Sequence, residues 1–350
     1  IVKVNKDMSA TLINGGEKFD LKIEMKVIDG KKSKTEFKIP LHVFDAGIEG
    51  KFYFNKDKPQ DSTQHIISGE WIKYYKKDDY RVKLFGHKTE KYTVNNYAKK
   101  ADNILYHEKW SVTFDDKNKS KAIGYFKQNG SKVTGTFLTD TGDYRYLEGQ
   151  VTNDRFELYG FDGGFANIVS ARILKDRING EFWSGKGHHV KWSGVANADA
   201  KLSDPYSLTF LKDKKTKLDF SLTNIKGEKV KLNDKKYDGK VKIIQISGTW
   251  CPNCMDEAKF MGRWYDQNKH RGVEIFSLFF ERAKTVRHAF KVLNKYAKEF
   301  KLNYEIILAD FDGGKDPLDI FPQLNKIMSY PTTIFINKKG KVQKIMNILE

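Results

Sequence analysis

The chain has 350 residues and a mass of 40.5 kDa, so we expect two or three domains, and a single small module is excluded. Hydrophobic residues make up 39% and charged residues 31% with only 7 prolines, which excludes collagen-like, low-complexity and wholly disordered chains. The formal net charge of +18 is shared by both halves, at +11 for residues 205–350 and +7 for the rest, and because no recognition motif accompanies it we expect no nucleic-acid partner.

Cysteine usage favours an oxidising compartment. The 2 cysteines of the chain, Cys251 and Cys254, lie three positions apart. A protein that avoids every cysteine except one close pair cannot scramble its disulfides, whereas a cytosolic enzyme of this size usually carries several idle thiols. Residues 1–7 show no apolar signal-peptide core and no stretch approaches a membrane span. We therefore expect a periplasmic or cell-envelope protein whose signal or anchor segment is absent from this chain.

Residues 11–197 are predicted to be almost wholly β. Apolar residues alternate with polar ones in short runs, for example in Phe19–Met25 and Trp110–Phe114. Turn signals separate the runs, as at Asp29–Gly30 and Asn129–Gly130. Many short strands joined by tight turns indicate an all-β antiparallel barrel or sandwich, and a barrel-like meander is favoured.

An internal repeat is one interpretation of this β region, with copies at about 1–100 and 108–200. Val43–Gly47 is echoed by Gly160–Gly164, and Ile67–Trp71 by Ile178–Trp183. The segment Asn55–Gln64 then reads as a loop insertion in the first copy. The alternative is that two β-hairpins use similar turn chemistry.

After Asp199 the pattern changes to alternating strands and helices, which predicts an α/β domain over 204–350 and a β-rich domain over 1–203. The predicted order is β, α, β, α, β, α, ββ, preceded by a short hairpin. The predicted elements are the hairpin Leu218–Leu222 with Lys229–Leu232, a buried strand at 241–246, a helix over about Pro252–Lys269, the strand Val273–Phe280, a helix over 286–300, the strand Tyr304–Leu308, and the hairpin Thr332–Ile336 with Val342–Ile345.

The chemistry-bearing motif is the segment Gly248–Cys254, which lies between the first buried strand and its helix. Unpaired N–H groups and the macrodipole at a helix N-terminus favour negative charge, so Cys251 should ionise near neutral pH and is the candidate nucleophile. Cys254, one turn on, is within disulfide reach and is the candidate resolving thiol. Pro252 is well tolerated in the first helical turn.

The motif, followed about 80 residues later by Tyr330–Thr333, resembles the thioredoxin-fold thiol-disulfide oxidoreductases of the TlpA/ResA type over roughly residues 204–345. In that family the proline corresponding to Pro331 is cis and lies against the disulfide. The resemblance implies that Tyr330 and Thr332 offer backbone hydrogen bonds to a substrate strand, with Trp250 and Pro252 beside them. An ordinary trans proline starting an edge strand is the alternative.

Two further positions refine the expected mechanism. Thioredoxins carry a buried aspartate six residues before the nucleophile, where this chain has Gln245, which cannot titrate. ResA-type proteins have a glutamate three residues after the second cysteine, and Glu257 stands there. The resemblance makes Glu257 the candidate for proton transfer. A solvated carboxylate on a helix face is the competing interpretation.

The resemblance implies a reductase of protein disulfides that needs no metal or organic cofactor. Its partners would be disulfide-containing protein substrates and an upstream dithiol electron donor, for which a membrane-embedded protein is one candidate. The β-rich region resembles the domain fused ahead of TlpA-like modules in some Bacteroidetes proteins. The residues that carry this second resemblance are Thr136–Phe137, Gly142–Gly149, Phe161–Gly163 and Gly180–Gly185.

Three alternatives remain at this point. A zinc site would need four ligands, and the chain has no further cysteines. A thiol peroxidase of the same fold would want Thr or Ser three residues before the reactive cysteine, where Gly248 stands. A ligand- or partner-binding β-barrel protein with an accessory redox module is the third.

Overall fold

Antiparallel strands make up most of the described part of the first half of the chain. The computed structural model describes residues 2–4, 9–14, 17–27, 34–41, 44–53, 66–76, 79–87 and 104–347. The predicted turn at Asp29–Gly30, residue Val43 of the proposed repeat and the loop Asn55–Gln64 lie outside these residues. The proposed repeat therefore stays a prediction.

The chain separates into two units, which are described one at a time. The first unit comprises residues 1–138 and 144–201, and the second comprises 139–143 and 202–350. The predicted boundary between residues 203 and 204 stays a prediction. Within the described ranges, no helix has the length and apolar character needed to cross a membrane.

The first unit begins with two antiparallel sheets. A three-stranded sheet has the order β1-β2-β3, and a five-stranded meander has the order β4-β5-β6-β7-β8. Their strands are β1 (Val2–Val4), β2 (Ser9–Asn14), β3 (Glu17–Lys22), β4 (Glu24–Val27), β5 (Lys34–Pro40), β6 (Ala46–Tyr53), β7 (Ile66–Lys73) and β8 (Tyr80–His87).

A closed barrel of eight antiparallel strands completes the first unit and confirms the all-β prediction. Each strand of the barrel pairs with the next one along the chain, as β10 does with β11. The first strand, β9, also pairs with the last, β17, so the ring closes. The barrel strands are β9 (Lys109–Phe114), β10 (Lys121–Asn129), β11 (Lys132–Thr139), β13 (Leu147–Thr152), β14 (Arg155–Phe161), β15 (Ala166–Leu174), β16 (Arg177–Ser184) and β17 (His188–Ala196).

The barrel interior is a packed aromatic core. Buried residues recur at every second position along β9 and β17, because successive side chains point to opposite faces of a sheet. Trp110, Phe126, Phe137 and Phe156 are fully buried at the centre. The Phe126 and Phe137 rings meet edge to face with centroids 5.5 Å apart, an arrangement that aromatic pairs prefer.

The second unit contains a five-stranded mixed sheet with helices in its connections. The sheet has the order β22-β21-β20-β23-β24, in which β20, β21 and β22 are parallel and β23 and β24 run antiparallel to them. The strands and helices of the second unit are β12 (Gly142–Asp143), α1 (Pro205–Leu208), β18 (Ser221–Thr223), β19 (Lys229–Lys231), β20 (Val241–Ser247), α2 (Pro252–Asn268), β21 (Val273–Phe280), α3 (Val286–Glu299), β22 (Glu305–Asp310), α4 (Pro317–Ile320), β23 (Thr332–Ile336) and β24 (Val342–Met346).

The central strand β20 is buried along almost its whole length, which fits the apolar residues at four of its positions, Val241, Ile243, Ile244 and Ile246. Ile244 and Ile246 belong to the main core cluster of this unit, whereas Ile243 packs with Met261 and Tyr265 of α2. The predicted order of strands and helices is thus confirmed. Because β20 ends at Ser247 and α2 begins at Pro252, the chain must turn sharply in between, and this turn contains the first cysteine.

The barrel offers a direct test of strand packing at Gly149. A Cβ atom at this position would overlap the backbone carbonyl oxygen of Glu157 on the neighbouring strand. We expect Gly149→Ala to lower the free energy of unfolding by about 3 kcal/mol, because neither backbone can give way without breaking the ladder. Urea unfolding followed by tryptophan fluorescence measures the change.

Gly86→Ala in β8 is the matched control for this substitution. A Cβ atom at Gly86 would meet only Ile67 Cβ at 3.8 Å, which is ordinary van der Waals contact. We expect the control to change the free energy of unfolding by less than about 1 kcal/mol. Equal unfolding midpoints for the two variants would contradict the tight β13–β14 packing.

Candidate redox site

Cys251 and Cys254 are joined by a disulfide at the N-terminus of α2, with their Cα atoms 5.3 Å apart. Cys251 is the N-cap residue, and its Sγ accepts a hydrogen bond from the backbone N–H of Cys254 at 3.1 Å. Pro252 occupies the first turn, where its missing N–H costs no intrahelical bond. Both cysteines are buried, with exposed fractions of 5% and 1%.

This placement favours a thiolate on Cys251 when the pair is reduced. The first N–H groups of a helix have no intrahelical acceptor, and the macrodipole adds partial positive charge at the same end. The sulfur of Cys251 already accepts one of these N–H groups in the oxidised form. A negative charge on this sulfur would therefore meet donors that are already in position.

The segment Tyr330–Thr332 lies beside the disulfide, as the sequence predicts. Cys251 Sγ is 3.4 Å from the carbonyl oxygen of Tyr330, and the Tyr330–Pro331 peptide bond is cis. The rings of Trp250 and Tyr330 contact each other with centroids 5.1 Å apart. Pro331 and Thr332 are buried, and the Thr332 hydroxyl donates to the carbonyl of Ser329 at 2.8 Å. Among the predicted residues, Tyr330 contacts the sulfur of Cys251 and Trp250 packs against Tyr330.

Glu257 is buried, with an exposed fraction of 4%, which excludes the solvated helix-face interpretation. Its Oε1 accepts a hydrogen bond from the Thr333 hydroxyl at 2.5 Å, and its Oε2 has no hydrogen-bond partner among the described residues. Burial raises the pKa of Glu257 to about 7, although the Thr333 hydroxyl and the nearby Gln245 side chain favour the ionised form. The carboxyl group can therefore exchange a proton near neutral pH.

Neutral polar groups complete the buried surroundings of the pair. Gln245 Oε1 accepts from the Ser277 hydroxyl at 2.9 Å, so the position where thioredoxins carry an aspartate holds a hydrogen-bonded amide. The Tyr296 hydroxyl on α3 donates to the carbonyl of Cys254 at 3.1 Å. Burial raises the pKa of Tyr296 well above its usual value, so this hydroxyl stays protonated.

The residues that follow β21 also contact the motif, and the sequence analysis missed them. The Glu281 carboxylate accepts from Thr249 N at 2.9 Å and from Thr249 Oγ1 at 2.7 Å. Phe280 O accepts from Trp250 Nε1 at 2.8 Å, and the Arg282 guanidinium lies 3.6 Å from the Trp250 ring centroid. One signal was available: because β20 and β21 are parallel, residues after their carboxyl ends meet at the same edge of the sheet.

The strand order, the cysteine pair at the start of the first helix and the cis-proline beside it together define the second unit as a thioredoxin-like fold. Residues 214–345 match the profile of the AhpC/TSA family. The second unit thus has a thioredoxin-like fold and contains the residues that match this family. The sequence resemblance on which this fold was predicted is confirmed for this part of the chain.

Two curated relatives of this domain are thiol-disulfide oxidoreductases named ResA. The protein from Bacillus subtilis (strain 168) is 31% identical over 115 residues, which are 33% of this chain and 56% of the relative. The protein from Geobacillus thermodenitrificans (strain NG80-2) is 30% identical over 110 residues, which are 31% of this chain and 56% of the relative. The chain thus spans about half the length of the relatives it matches.

Solved structures that are similar to this chain each cover part of it. A thiol-disulfide oxidoreductase from Bacteroides fragilis NCTC 9343 is 18% identical, with 39% of this chain and 92% of that chain covered and a TM-score of 0.33. StoA from Bacillus subtilis is 21% identical, with 38% and 91% covered and a TM-score of 0.30. Within the described ranges, no group of three or more Cys, His, Asp or Glu side chains is arranged to hold a metal ion.

The buried Glu257 should make the stability of the oxidised protein depend on pH. Its pKa is raised from 4.5 to about 7 in the folded state, so between these values the unfolded chain releases a proton that the folded chain retains. Stability is therefore lost as pH rises through this window, by about 3 kcal/mol in total. Glu257→Gln lacks this titration. In urea unfolding from pH 4 to 8, the free energy of unfolding of the wild type should fall relative to that of Glu257→Gln.

Asp256→Asn is the control, since Asp256 is the exposed neighbour on the same helix. We expect this variant to follow the pH dependence of the wild type. If the free energies of unfolding of the wild type and Glu257→Gln depend on pH in the same way over this whole pH range, Glu257 does not titrate there.

Proposed function

We propose that this protein is a thiol-disulfide oxidoreductase that reduces protein disulfides through the dithiol of Cys251 and Cys254. The observation that carries the proposal is the Cys251–Cys254 disulfide at the N-terminus of α2, with Cys251 Sγ in contact with the carbonyl of Tyr330. The nucleophilic and the resolving sulfur lie one helical turn apart. The backbone carbonyl of Tyr330, which can accept a hydrogen bond from an incoming strand, lies beside them.

In the proposed reaction, the Cys251 thiolate attacks one sulfur of a substrate disulfide. A mixed disulfide forms, and the other substrate sulfur leaves as a thiolate that takes up a proton. Cys254 then attacks Cys251 Sγ, which closes the Cys251–Cys254 disulfide and releases the second substrate thiol. Two electrons have passed from the protein to the substrate, and an upstream dithiol donor must supply two electrons to restore the reduced pair.

Glu257 is the proposed acceptor of the proton that Cys254 must lose before its attack. A base is most useful when its pKa lies near the working pH, and that of Glu257 is raised to about 7 by burial. Glu257 lies one helical turn after Cys254 on the buried side of α2. Its hydrogen bond from Thr333 fixes one carboxyl oxygen and leaves the other available.

Substrate binding is assigned to the surface around Cys251. The backbone of Tyr330 and Thr332 would pair with an extended substrate segment, as strands add to a sheet edge, with Pro331 between them. Trp250 is half-buried beside this segment and Pro252 follows the nucleophile. Backbone pairing would select for an unfolded or extended stretch around the substrate disulfide and not for a particular sequence.

We assign the redox domain to residues 204–350 and the β-rich domain to residues 1–203, and we place the protein in the periplasm or cell envelope. Avoidance of all cysteines except the redox pair supports the compartment. A membrane-embedded dithiol protein is the candidate donor. The thiol peroxidase alternative has less support, because the curated relatives are thiol-disulfide oxidoreductases and Gly248 stands where a peroxidase would carry Thr or Ser.

The proposal predicts different defects for the two cysteine variants in insulin reduction by dithiothreitol. Cys251→Ser should lose all catalysis because it has no nucleophile. Cys254→Ser that is reduced and freed of dithiothreitol before insulin is added should accumulate a mixed disulfide between Cys251 and insulin, because no second thiol resolves it. Turbidity measures the rate, and non-reducing electrophoresis with mass spectrometry identifies the trapped species.

The double variant, with serine at both positions, gives the uncatalysed rate and has no other thiol, since the chain has 2 cysteines. A wild-type rate equal to that of the double variant would refute the proposed activity. Trapping on Cys254 in Cys251→Ser, with none on Cys251 in Cys254→Ser, would reverse the assigned roles.

A further inference from the structure

The turn before Cys251 is held by three consecutive residues that the proposed mechanism does not use. Phe280 O and the Arg282 guanidinium both contact the Trp250 side chain, and the Glu281 carboxylate accepts two hydrogen bonds from Thr249. Phe280 is the last residue of β21, and Glu281 and Arg282 follow it, beside the end of β20. The turn that presents Cys251 is therefore fastened to the neighbouring strand and not only to its own helix.

Glu281 is the unusual member of this group because it is an acidic residue in the interior. Its exposed fraction is 3%, and its own backbone N–H donates to the carbonyl of Asp310 at 2.8 Å. Each carboxylate oxygen accepts one hydrogen bond from Thr249, two residues before Cys251. A buried carboxylate is costly, so its place beside a redox pair calls for a role there.

We propose that Glu281 is a positioning residue of the redox site, which fixes the turn Gly248–Trp250 through Thr249 and, by its negative charge, disfavours ionisation of the reduced Cys251 thiol. This inference rests on the proposed function and concerns the direction in which the cysteine pair transfers electrons. A charge that destabilises the reduced, ionised pair makes the disulfide form more stable, so the pair becomes a stronger reductant. Glu281 thus biases the site towards the reduction of substrates.

The other ionisable groups around the turn come from each element packed against it. They are Glu257 on α2, Tyr296 on α3, Asp310 on β22 and Tyr330 before β23, with Arg282 above Trp250. Arg282 is exposed, and water screens its charge, whereas Glu281 is buried. The negative charge of Glu281 should therefore prevail at the sulfur.

The test is the reduction potential of Glu281→Gln, measured by equilibration of the full chain with a dithiothreitol redox buffer at pH 5 and pH 9. Glutamine has the same shape and removes the charge. At pH 9, where Cys251 is ionised, we expect the variant to be more oxidising by about tenfold in the exchange equilibrium constant, which is about 30 mV for a two-electron couple. At pH 5, where the thiol is protonated, the difference should vanish.

Glu274→Gln is the matched control, because Glu274 lies near the start of β21, whereas Glu281 follows its end, and Glu274 pairs there with Lys240. Its potential should equal that of the wild type at both pH values. If Glu281→Gln also equals the wild type at pH 9, or differs equally at pH 5 and pH 9, the electrostatic role is overturned. Such a result leaves the proposed function intact, since that function is tested by insulin reduction in the wild type.

A second pair of variants tests the positioning role without changing a charge. Thr249→Val removes the hydroxyl that donates to Glu281, whereas Thr249→Ser keeps it. We expect kcat/KM for insulin reduction to fall about tenfold in Thr249→Val, in line with the loss of a hydrogen bond to a charged group, and to stay at the wild-type value in Thr249→Ser. Equal values for the two variants would overturn this part of the inference.

Discussion

The redox chemistry depends on one hydrogen bond, from the backbone N–H of Cys254 to the sulfur of Cys251. Only four residues separate the end of the buried strand β20 from the start of α2. The first unpaired N–H groups of the helix therefore point at the residue that caps it. Both neighbouring strands support this junction. The turn after β21 fastens Thr249 and Trp250, and the segment before β23 brings the Tyr330 carbonyl to the same sulfur.

Much of the fold of the second unit is predictable from local pattern, and less of the first. Val273–Phe280 and Thr332–Ile336 have the predicted limits because each is rich in apolar residues and is followed by a polar residue. The β-rich region shows only period-two alternation, which a sandwich and a barrel share. Closure of the barrel depends on the long-range pairing of β9 with β17, which no local pattern encodes.

The candidate site likewise contains residues that local sequence pattern predicts and residues that it does not. Cys251, Cys254 and Tyr330–Thr332 could be found because their residue types and spacing are informative by themselves. Helical spacing places Glu257 near Cys254, but its burial follows from contact with Thr333, which is 76 residues away in the chain. Glu281 was missed because hydropathy predicts where a strand ends and not what the next polar side chain will contact. The burial of both carboxylates is therefore a tertiary property.

The most direct test of the account is the alkylation of the fully reduced protein by iodoacetamide at pH 6 to 9, with the modified cysteine identified by peptide mass spectrometry. The account predicts that Cys251 reacts selectively and that its rate reaches half of its maximum below the pH of about 8.5 expected for a free cysteine. Cys254 should react more slowly, because it is the less exposed of the two cysteines, at 1% against 5%. A Cys251 rate that follows the profile of a free cysteine, or equal modification of both residues, would contradict the claim that the helix N-terminus activates this sulfur.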